Sequence, residues 1–475
     1  MESNFINLKK NAHIHLMGIC GTAMASLAGL LKTQGYRVTG SDQNVYPPMS
    51  TQLAELGIPI MQGYKKENLN PRPDLVIVGN VISKTNEEAQ ALLATDIPYT
   101  SLPKAMGQFA IGDRNSIVIA GTHGKTTTTT MMLEVSDQVF KSEKDISGYM
   151  VGGIPLATGR SFRVAQGNNF IIEGDEYDTA FFDKVPKFIH YKPKYVILTS
   201  VEFDHADIYP DFDAVKKAFQ KLMDLIPADG ILLACAESDE VLKLAKTCKG
   251  KVLTYGVDKG DYQITEREMI SGRNHFSVKY KNEKIADIAI KAVGEHNALN
   301  AIAVFALARE MGWQETEVLQ GLAGFQGVKR RQEVIGTPSG ITIIEDFAHH
   351  PTAVRMTINA IRERYKGQRL ISIFEPRSAT SRRKIFQKDY VTAFKNSDLS
   401  IIAEAFDQAK INEDERFSTK ELVEDLIKSG QNAEELAQVD DIVAMVKKQA
   451  KKNDVVLIMS NGGFGGIYKK LLSVF

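Results

Sequence analysis

The sequence predicts an α/β protein of three domains, and three observations carry that prediction. The chain has 475 residues, a length that exceeds one hydrophobic core and suggests about three domains. Short apolar runs alternate with helical segments, the order that gives parallel sheets with right-handed crossovers. The alternation begins afresh twice, near residues 112 and 328, which divides the chain into 1–112, 113–328 and 329–475.

In the first region "AHIHLMG" reads as a strand, "TAMASLAGLLKTQG" as a helix closed by Gly35, and "YRVTGSD" and "DLVIVGN" as further strands. The polar stretch "GDRNS" leads into "SIVIAG", followed by strands at "NFIIEGD", "YVILTS", "GILLAC" and "KVLTYG". "FSVKYKNEKIADIAIKAV" reads as two antiparallel strands joined through Lys281-Asn282-Glu283. A helix, "HNALNAIAVFALAREMG", precedes the charged connector "FQGVKRRQEVIGTPSG". The third region repeats the pattern at "ITIIEDF", "RLISIFEP", "LSIIAEAF" and "DVVLIMSNGG".

Composition excludes several function classes. Hydrophobic residues make up 43% and charged residues 24%, as in an ordinary globular protein. Fifty-eight basic residues balance 58 acidic ones, so bulk charge recruits neither nucleic acid nor membrane. Cys20, Cys235 and Cys248 form no C-x-x-C pair, which argues against a disulfide framework or structural zinc. "MESNFINLKKNAHIHLMG" lacks the apolar region of a signal peptide, and no apolar run reaches the ~18 residues of a membrane span. A cytoplasmic location without membrane insertion is expected.

The chemistry centres on "SIVIAGTHGKTTTTT". An apolar strand meets a turn with two glycines, then a lysine and five threonines. The spacing is shorter than G-x-x-x-x-G-K followed by Ser or Thr, because Gly121 stands only three residues before Gly124. Gly121, Thr122, His123, Gly124, Lys125, Thr126 and Thr127 nevertheless form a candidate phosphate loop. Its backbone N–H groups and the helix N-terminus favour an anion. Lys125 supplies a charge for phosphates and Thr126 a hydroxyl for Mg²⁺. The bland alternative is a strand–turn–helix corner with a solvated lysine.

Two acidic clusters follow strands: Glu173, Asp175, Glu176 and Asp178, then Glu202, Asp204, His205 and Asp207. Strand ends are where carboxylates hold Mg²⁺ in P-loop proteins, although most of these acids are expected to be solvated or to cap helices. The turn "GICGTAMASLA" departs from G-x-G-x-x-G, with Cys20 in the second glycine's place and Ala23 in the third's. Asp42 closes the next strand near the distance of a ribose-binding acid, yet an unliganded turn fits as well. The glycines of "MSNGGFGGIYKKLL" are equally open. Asn297 and Asn300 share a helix face, and either could be an N-cap. Arg330 and Arg331 could reach a phosphate from the connector or be an exposed pair. "IIEDFAHHPTAV" brings Asp346, His349 and His350 to a strand end, with Pro351 suited to a first helical position. Adjacent histidines lack the i,i+4 spacing of a zinc pair, so no metal is assigned there.

"AGTHGKTTT", "EGDEYD", the "DH" of "EFDHAD", "GEHNALNA", "FQGVKRR" and "DFAHHPT", in this order across the chain, resemble the Mur ligases of peptidoglycan biosynthesis. The resemblance implies a Rossmann-like N-terminal domain for a UDP-sugar, a central P-loop ATPase-like domain and a Rossmann-like C-terminal domain for the amine substrate. It implies ATP and Mg²⁺ as cofactors, with Lys125 on the phosphates and Thr126, Glu173 and His205 on the metal. Lys125, Glu173 and His205 are thereby the implied catalytic set. Asn297 would contact adenine, Arg331 the phosphates, and Asp346 would hold ATP from the third domain. Gly18, Gly21, Ser41 and Asp42 fall where the family grips the UDP moiety. Several members carry a carbamylated lysine about fourteen residues beyond the metal histidine; Phe219 stands there, with Lys216 and Lys217 nearby. That likens the chain to the branch acting directly on UDP-N-acetylmuramate.

"SDQNVYPPMST", "DEYDTAFFDK", "FEPRSAT" and "SNGGFGGI" look like the member that attaches a recycled tripeptide, L-Ala-γ-D-Glu-meso-diaminopimelate, through an acyl phosphate. The L-alanine-adding member is the nearer alternative. A nicotinamide-dependent oxidoreductase, resting on "GICGTAMA" and "SNGGFGG", and a P-loop regulatory protein are rivals from other classes. Neither explains the full ordered set.

Overall fold

The computed structural model describes residues 8–45 and 49–475; Tyr46, Pro47 and Pro48 of "SDQNVYPPMST" and residues 1–7 lie outside the described residues. The chain divides into two compact units. The first comprises Met1–Glu202, Phe212–Gln263 and Asn300–Gln326; the second comprises Phe203–Asp211, Ile264–Leu299 and Gly327–Phe475.

The first unit opens with a five-stranded parallel sheet: β1 (His13–Met17), β2 (Arg37–Asp42), β3 (Ile60–Gln62), β4 (Leu75–Val78) and β5 (Tyr99–Ser101), in the order β3-β2-β1-β4-β5. β1 and β4 are buried along their full length; β4 is the continuous apolar run expected of a sheet covered on both faces, whereas β1 also buries His13 and His15, whose rings meet Thr39 Oγ1 (2.8 Å each). The helix Thr22–Thr33 ends as expected before Gly35, whose φ of 92° suits a residue without a Cβ.

A second sheet of this unit contains β6 (Asn115–Ala120), β7 (Gly148–Met150), β8 (Phe162–Arg163), β9 (Asn169–Gly174), β12 (Pro193–Leu198), β13 (Ile231–Cys235) and β14 (Lys251–Val257), ordered β14-β13-β12-β6-β9-β7-β8. All its pairs are parallel except β7–β8. β10 (Asp178–Ala180) and β11 (Asp183–Pro186) form a separate antiparallel hairpin after β9. β6 lies between β9 and β12, so the loops leaving these three strands gather at one sheet edge.

In the second unit, β16 (Arg273–Tyr280) and β17 (Glu283–Ile290) follow β15 (Tyr262–Ile270) and pair antiparallel. The turn is tighter than the sequence suggests. Lys281 and Asn282 alone make it, at φ 52° and 68°, the left-handed pair of a two-residue hairpin turn, while Glu283 pairs with Tyr280.

The final sheet holds β18 (Glu333–Gly336), β19 (Thr342–Asp346), β20 (Leu370–Phe374), β21 (Leu399–Ala403), β22 (Ala433–Leu436) and β23 (Val455–Met459), ordered β18-β19-β23-β20-β21-β22. Only β18–β19 is antiparallel. Side chains alternate between two cores: Leu370 and Phe374 face the helices Pro351–Arg364 and Thr419–Lys428, whereas Ile371 and Ile373 face Val439–Gln449 and Ile467–Val474. Among the described residues, no helix is long and apolar enough to cross a membrane.

Candidate functional site

The two glycines after β6 are required by geometry. Gly121 has φ 129°, and a Cβ there would lie 2.2 Å from Thr199 Oγ1 and 2.8 Å from the Ser200 nitrogen. Gly124 has φ 83°, and its Cβ would lie 2.9 Å from Asn300 Oδ1. The loop between them is fastened to the strand-exit segment 199–202. Thr122 N–H donates to the Ser200 carbonyl (2.9 Å), and Glu202 N–H donates to Thr122 Oγ1 (2.8 Å). His123 N–H donates to Ser200 Oγ (3.0 Å), so that N–H is already engaged within the protein.

Helix Lys125–Val139 starts immediately after Gly124. Its first N–H groups have no intrahelical acceptor, and the helix dipole adds positive potential there. The threonine run divides by role. Thr129 and Thr130 donate back to the carbonyls of Lys125 and Thr126 (2.8 Å each), and with Thr128 they are fully buried. Thr126 Oγ1 instead donates to Glu173 Oε2 (3.1 Å), and Glu173 Oε1 accepts from Gly152 N–H (2.5 Å).

Lys125 Nζ donates to the Gly121 carbonyl (2.6 Å) and to Glu176 Oε2 (3.1 Å). Burial works to lower the lysine's pKa, but Glu176, Asp175 and Glu173 outweigh it and hold the group above its ordinary value. Asp175 pairs with Lys187 at 3.1 Å, and Lys187 Nζ stands 4.0 Å from the centre of the Tyr177 ring. Burial pushes Asp175 up, yet Lys187 and Lys125 bring it below the usual carboxylate range. Burial and the Asp175 charge push the Tyr177 hydroxyl well above 10. The Thr126 hydroxyl and Glu173 carboxylate are hard oxygen donors, a set that fits Mg²⁺ rather than a soft metal.

The first turn, Gly18 to Gly21, is hung on β2. The Ser41 carbonyl accepts from Gly18 and Ile19 N–H (2.8 and 3.1 Å), and Asp42 accepts from Cys20 N–H (2.8 Å) and Asn44 N–H (3.0 Å). Burial and Asp42 push the Cys20 thiol up to about 11, which keeps it protonated. Ser41 Oγ is buried and donates to Glu88 Oε1 (3.0 Å). Glu88 Oε1 also meets His15 Nε2 (2.8 Å), and Oε2 accepts from Asn68 Nδ2 (2.8 Å). This Glu88 hub escapes sequence reading, since one acid in "NEEAQALL" resembles any first-turn helix acid.

His205, Asn297, Arg331 and Asp346 lie in the second unit. His205 belongs to Phe203–Asp211, has φ 55° and donates its N–H to Asp204 Oδ1 (2.7 Å). Asp204 also accepts from Thr380 Oγ1 (2.6 Å). Asn297 is not an N-cap: its Nδ2 donates to the Val293 carbonyl (2.8 Å) inside the helix start. It also reaches Gln332 Oε1 (3.4 Å), while Gln332 N–H donates to Asp346 Oδ2 (2.8 Å). Gln332, which sequence reading missed, thus joins Asn297 to Asp346. Asp346 Oδ1 accepts from Ala348 N–H (2.8 Å) and Thr357 Oγ1 (3.3 Å), so both carboxylate oxygens organise their own loop. The Arg331 guanidinium lies 4.8 Å from the Phe347 ring centre. Arg330 is not a solvated cation; it pairs with Glu345 (2.5 Å) and donates to the carbonyls of Ser460 (3.0 Å) and Gly462 (2.6 Å). His350 caps helix Pro351–Arg364 by accepting from Thr352 N–H (3.3 Å), with Pro351 at the first turn.

Comparison with known proteins gives the family. Three family models match in order: "Mur ligase family, catalytic domain" over residues 13–114, "Mur ligase middle domain" over 119–308 and "Mur ligase, glutamate ligase domain" over 330–462. A UDP-N-acetylmuramate–L-alanyl-γ-D-glutamyl-meso-2,6-diaminoheptandioate ligase of Haemophilus influenzae is 38% identical, covering 97% of this chain and 98% of its own. A UDP-N-acetylmuramate–L-alanine ligase of Clostridium tetani is 31% identical, covering 98% of each. The crystal structure of a murein peptide ligase of Psychrobacter arcticus superposes with a TM-score of 0.72 at 34% identity, covering 98% of both chains. The architecture is the three-domain α/β arrangement of these enzymes, and the chain belongs to the Mur ligase family.

Proposed function

We propose that this chain is an ATP-dependent, amide-forming ligase that joins L-Ala-γ-D-Glu-meso-diaminopimelate to UDP-N-acetylmuramate in peptidoglycan recycling. The observation that carries the ligase reading is the phosphate loop whose Lys125 meets Glu176 while Thr126 meets Glu173. The peptide is chosen by likeness: 38% identity to a tripeptide-adding relative against 31% to an L-alanine-adding one. The reaction is placed in the cytoplasm, and the working division is 1–112 for the UDP-sugar, 113–328 for ATP and 329–475 for the peptide.

In this reading the Gly18–Gly21 turn, with Ser41 and Asp42 behind it, receives the UDP moiety. The segment Gly121–Thr127 receives the ATP phosphates; Asn297 contacts adenine, and Arg331 and Asp346 act on ATP from the C-terminal region. Lys125 exchanges its Gly121 carbonyl contact for a phosphate oxygen and offsets charge as the lactyl carboxylate attacks the γ-phosphorus, the bond to the β,γ-bridging oxygen breaks and ADP leaves. The resulting acyl phosphate is opened by the peptide amine, with inorganic phosphate leaving. Thr126, Glu173 and His205 would hold Mg²⁺, which when bound supplies Lewis-acid stabilisation of the phosphoryl oxygens. Glu176 keeps Lys125 directed along the loop before ATP arrives.

Hydroxylamine trapping tests the chemistry. With ATP and UDP-N-acetylmuramate but no peptide, a hydroxamate of the lactyl group is expected. Its absence, in enzyme that makes product when peptide is added, would exclude the acyl phosphate.

A further inference from the structure

One buried lysine near the phosphate loop has no part in the reading above. Lys187 begins the short helical turn after the β10–β11 hairpin and is attached to Asp175 twice. Its N–H donates to the Asp175 carbonyl (3.1 Å), and its Nζ meets the Asp175 carboxylate (3.1 Å). Its side chain is 10% exposed, and the ammonium lies over Tyr177. Asp175 in turn stands within electrostatic reach of Lys125, as do Glu173 and Glu176. Glu176 contacts the phosphate-loop lysine at 3.1 Å while Asp175 and Glu173 act on it through their charge, an awkward balance for a site that must admit a polyanion.

We propose that Lys187 is a positioning residue for ATP: by holding Asp175, it keeps that carboxylate from competing with phosphate for Lys125. This rests on the ligase reading of the loop. Lys187 and Lys125 both act on Asp175, and without Lys187 the Asp175 charge is left to Lys125. The uncompensated Asp175 charge would draw Lys125 inward and add repulsion toward the triphosphate, in a setting too buried for salt to screen well. The claim concerns charge balance, so removing both members of the pair should undo the damage.

The experiment measures binding of a fluorescent N-methylanthraniloyl ATP with Mg²⁺ to the wild type, Lys187→Met, Asp175→Asn and the double variant. KM for UDP-N-acetylmuramate is measured alongside. Lys187→Met is expected to weaken nucleotide binding at least tenfold, with KM for the UDP-sugar changed less than threefold. The double variant is expected to return within threefold of wild type. If Lys187→Met does not fold, the comparison of the double variant with Asp175→Asn decides: equal affinity supports the proposal. A double variant that binds tenfold more weakly than Asp175→Asn overturns it, because Lys187 would then act on the nucleotide itself. Wild-type affinity in Lys187→Met also overturns it. A wild type that binds the nucleotide but makes no product with either the tripeptide or L-alanine would instead refute the ligase reading alone.

Discussion

Glu88→Gln is the substitution whose effect follows most closely from the geometry. Glu88 is fully buried, and its two oxygens receive three donors: His15 and Ser41 on Oε1, and Asn68 on Oε2. A glutamine keeps the shape and can offer its oxygen to His15 and Ser41. Its NH₂ then faces the Asn68 NH₂, and Asn68 cannot rotate without losing its bond to the Gly63 carbonyl (3.0 Å). One buried donor left without an acceptor costs about 1–3 kcal/mol, and the other two bonds lose their charge assistance, so a loss of about 2 kcal/mol is expected. The urea midpoint of unfolding reports that loss. Because the Ser41 carbonyl holds Gly18 and Ile19, KM for UDP-N-acetylmuramate should rise severalfold while kcat changes less. Stability within about 0.5 kcal/mol of wild type, the usual range for an inconsequential surface change, would refute the reasoning.

Lys125→Ala is expected to abolish ligation while leaving the circular dichroism spectrum unchanged; turnover within tenfold of wild type would remove that lysine from the chemistry. His205→Ala should raise the Mg²⁺ concentration needed for half-maximal rate, and an unaltered Mg²⁺ titration would contradict its role as a ligand. Gly121→Ala places a Cβ 2.2 Å from Thr199 Oγ1 in a left-handed conformation and should cost about 2–4 kcal/mol by overpacking and backbone strain, read by denaturation. Burial raises the pKa of Asp183, but hydrogen bonds from His190, Ser101 and Thr179 bring it below its unfolded value. The folded state thus binds fewer protons, so this stabilisation is complete above about pH 4 and disappears as pH falls through the folded pKa. Asp183→Asn should flatten the stability profile in that acid range, where an unchanged slope would count against the assignment.

The strand–helix alternation was legible because buried parallel strands are continuous apolar runs, as at "SIVIAG" and "DVVLIM". Gly121, Gly124, Lys125 and Thr126 stood out as a candidate phosphate loop, since such a loop needs those residue types in sequence next to a strand end; Glu173 was singled out of its acidic cluster by the resemblance alone. The short strands β7, β8, β10 and β22 span only two to four residues and carry too little periodicity to find. Glu88, Gln332 and Lys187 were hidden for another reason: each acts through a partner distant in sequence, and only the fold brings His15, Asp346 or Asp175 to it. Asp346 shows the same dependence on the fold: the resemblance gives it an ATP contact, and only the structure shows that it also accepts from Gln332, Ala348 and Thr357.

The most direct measurement is phosphate release from ATP with UDP-N-acetylmuramate, L-Ala-γ-D-Glu-meso-diaminopimelate being added to one sample and L-alanine to another. Release driven by the tripeptide and not by L-alanine is the predicted result. Release driven by L-alanine alone would leave the fold and the phosphate chemistry standing and contradict the assignment of the peptide substrate.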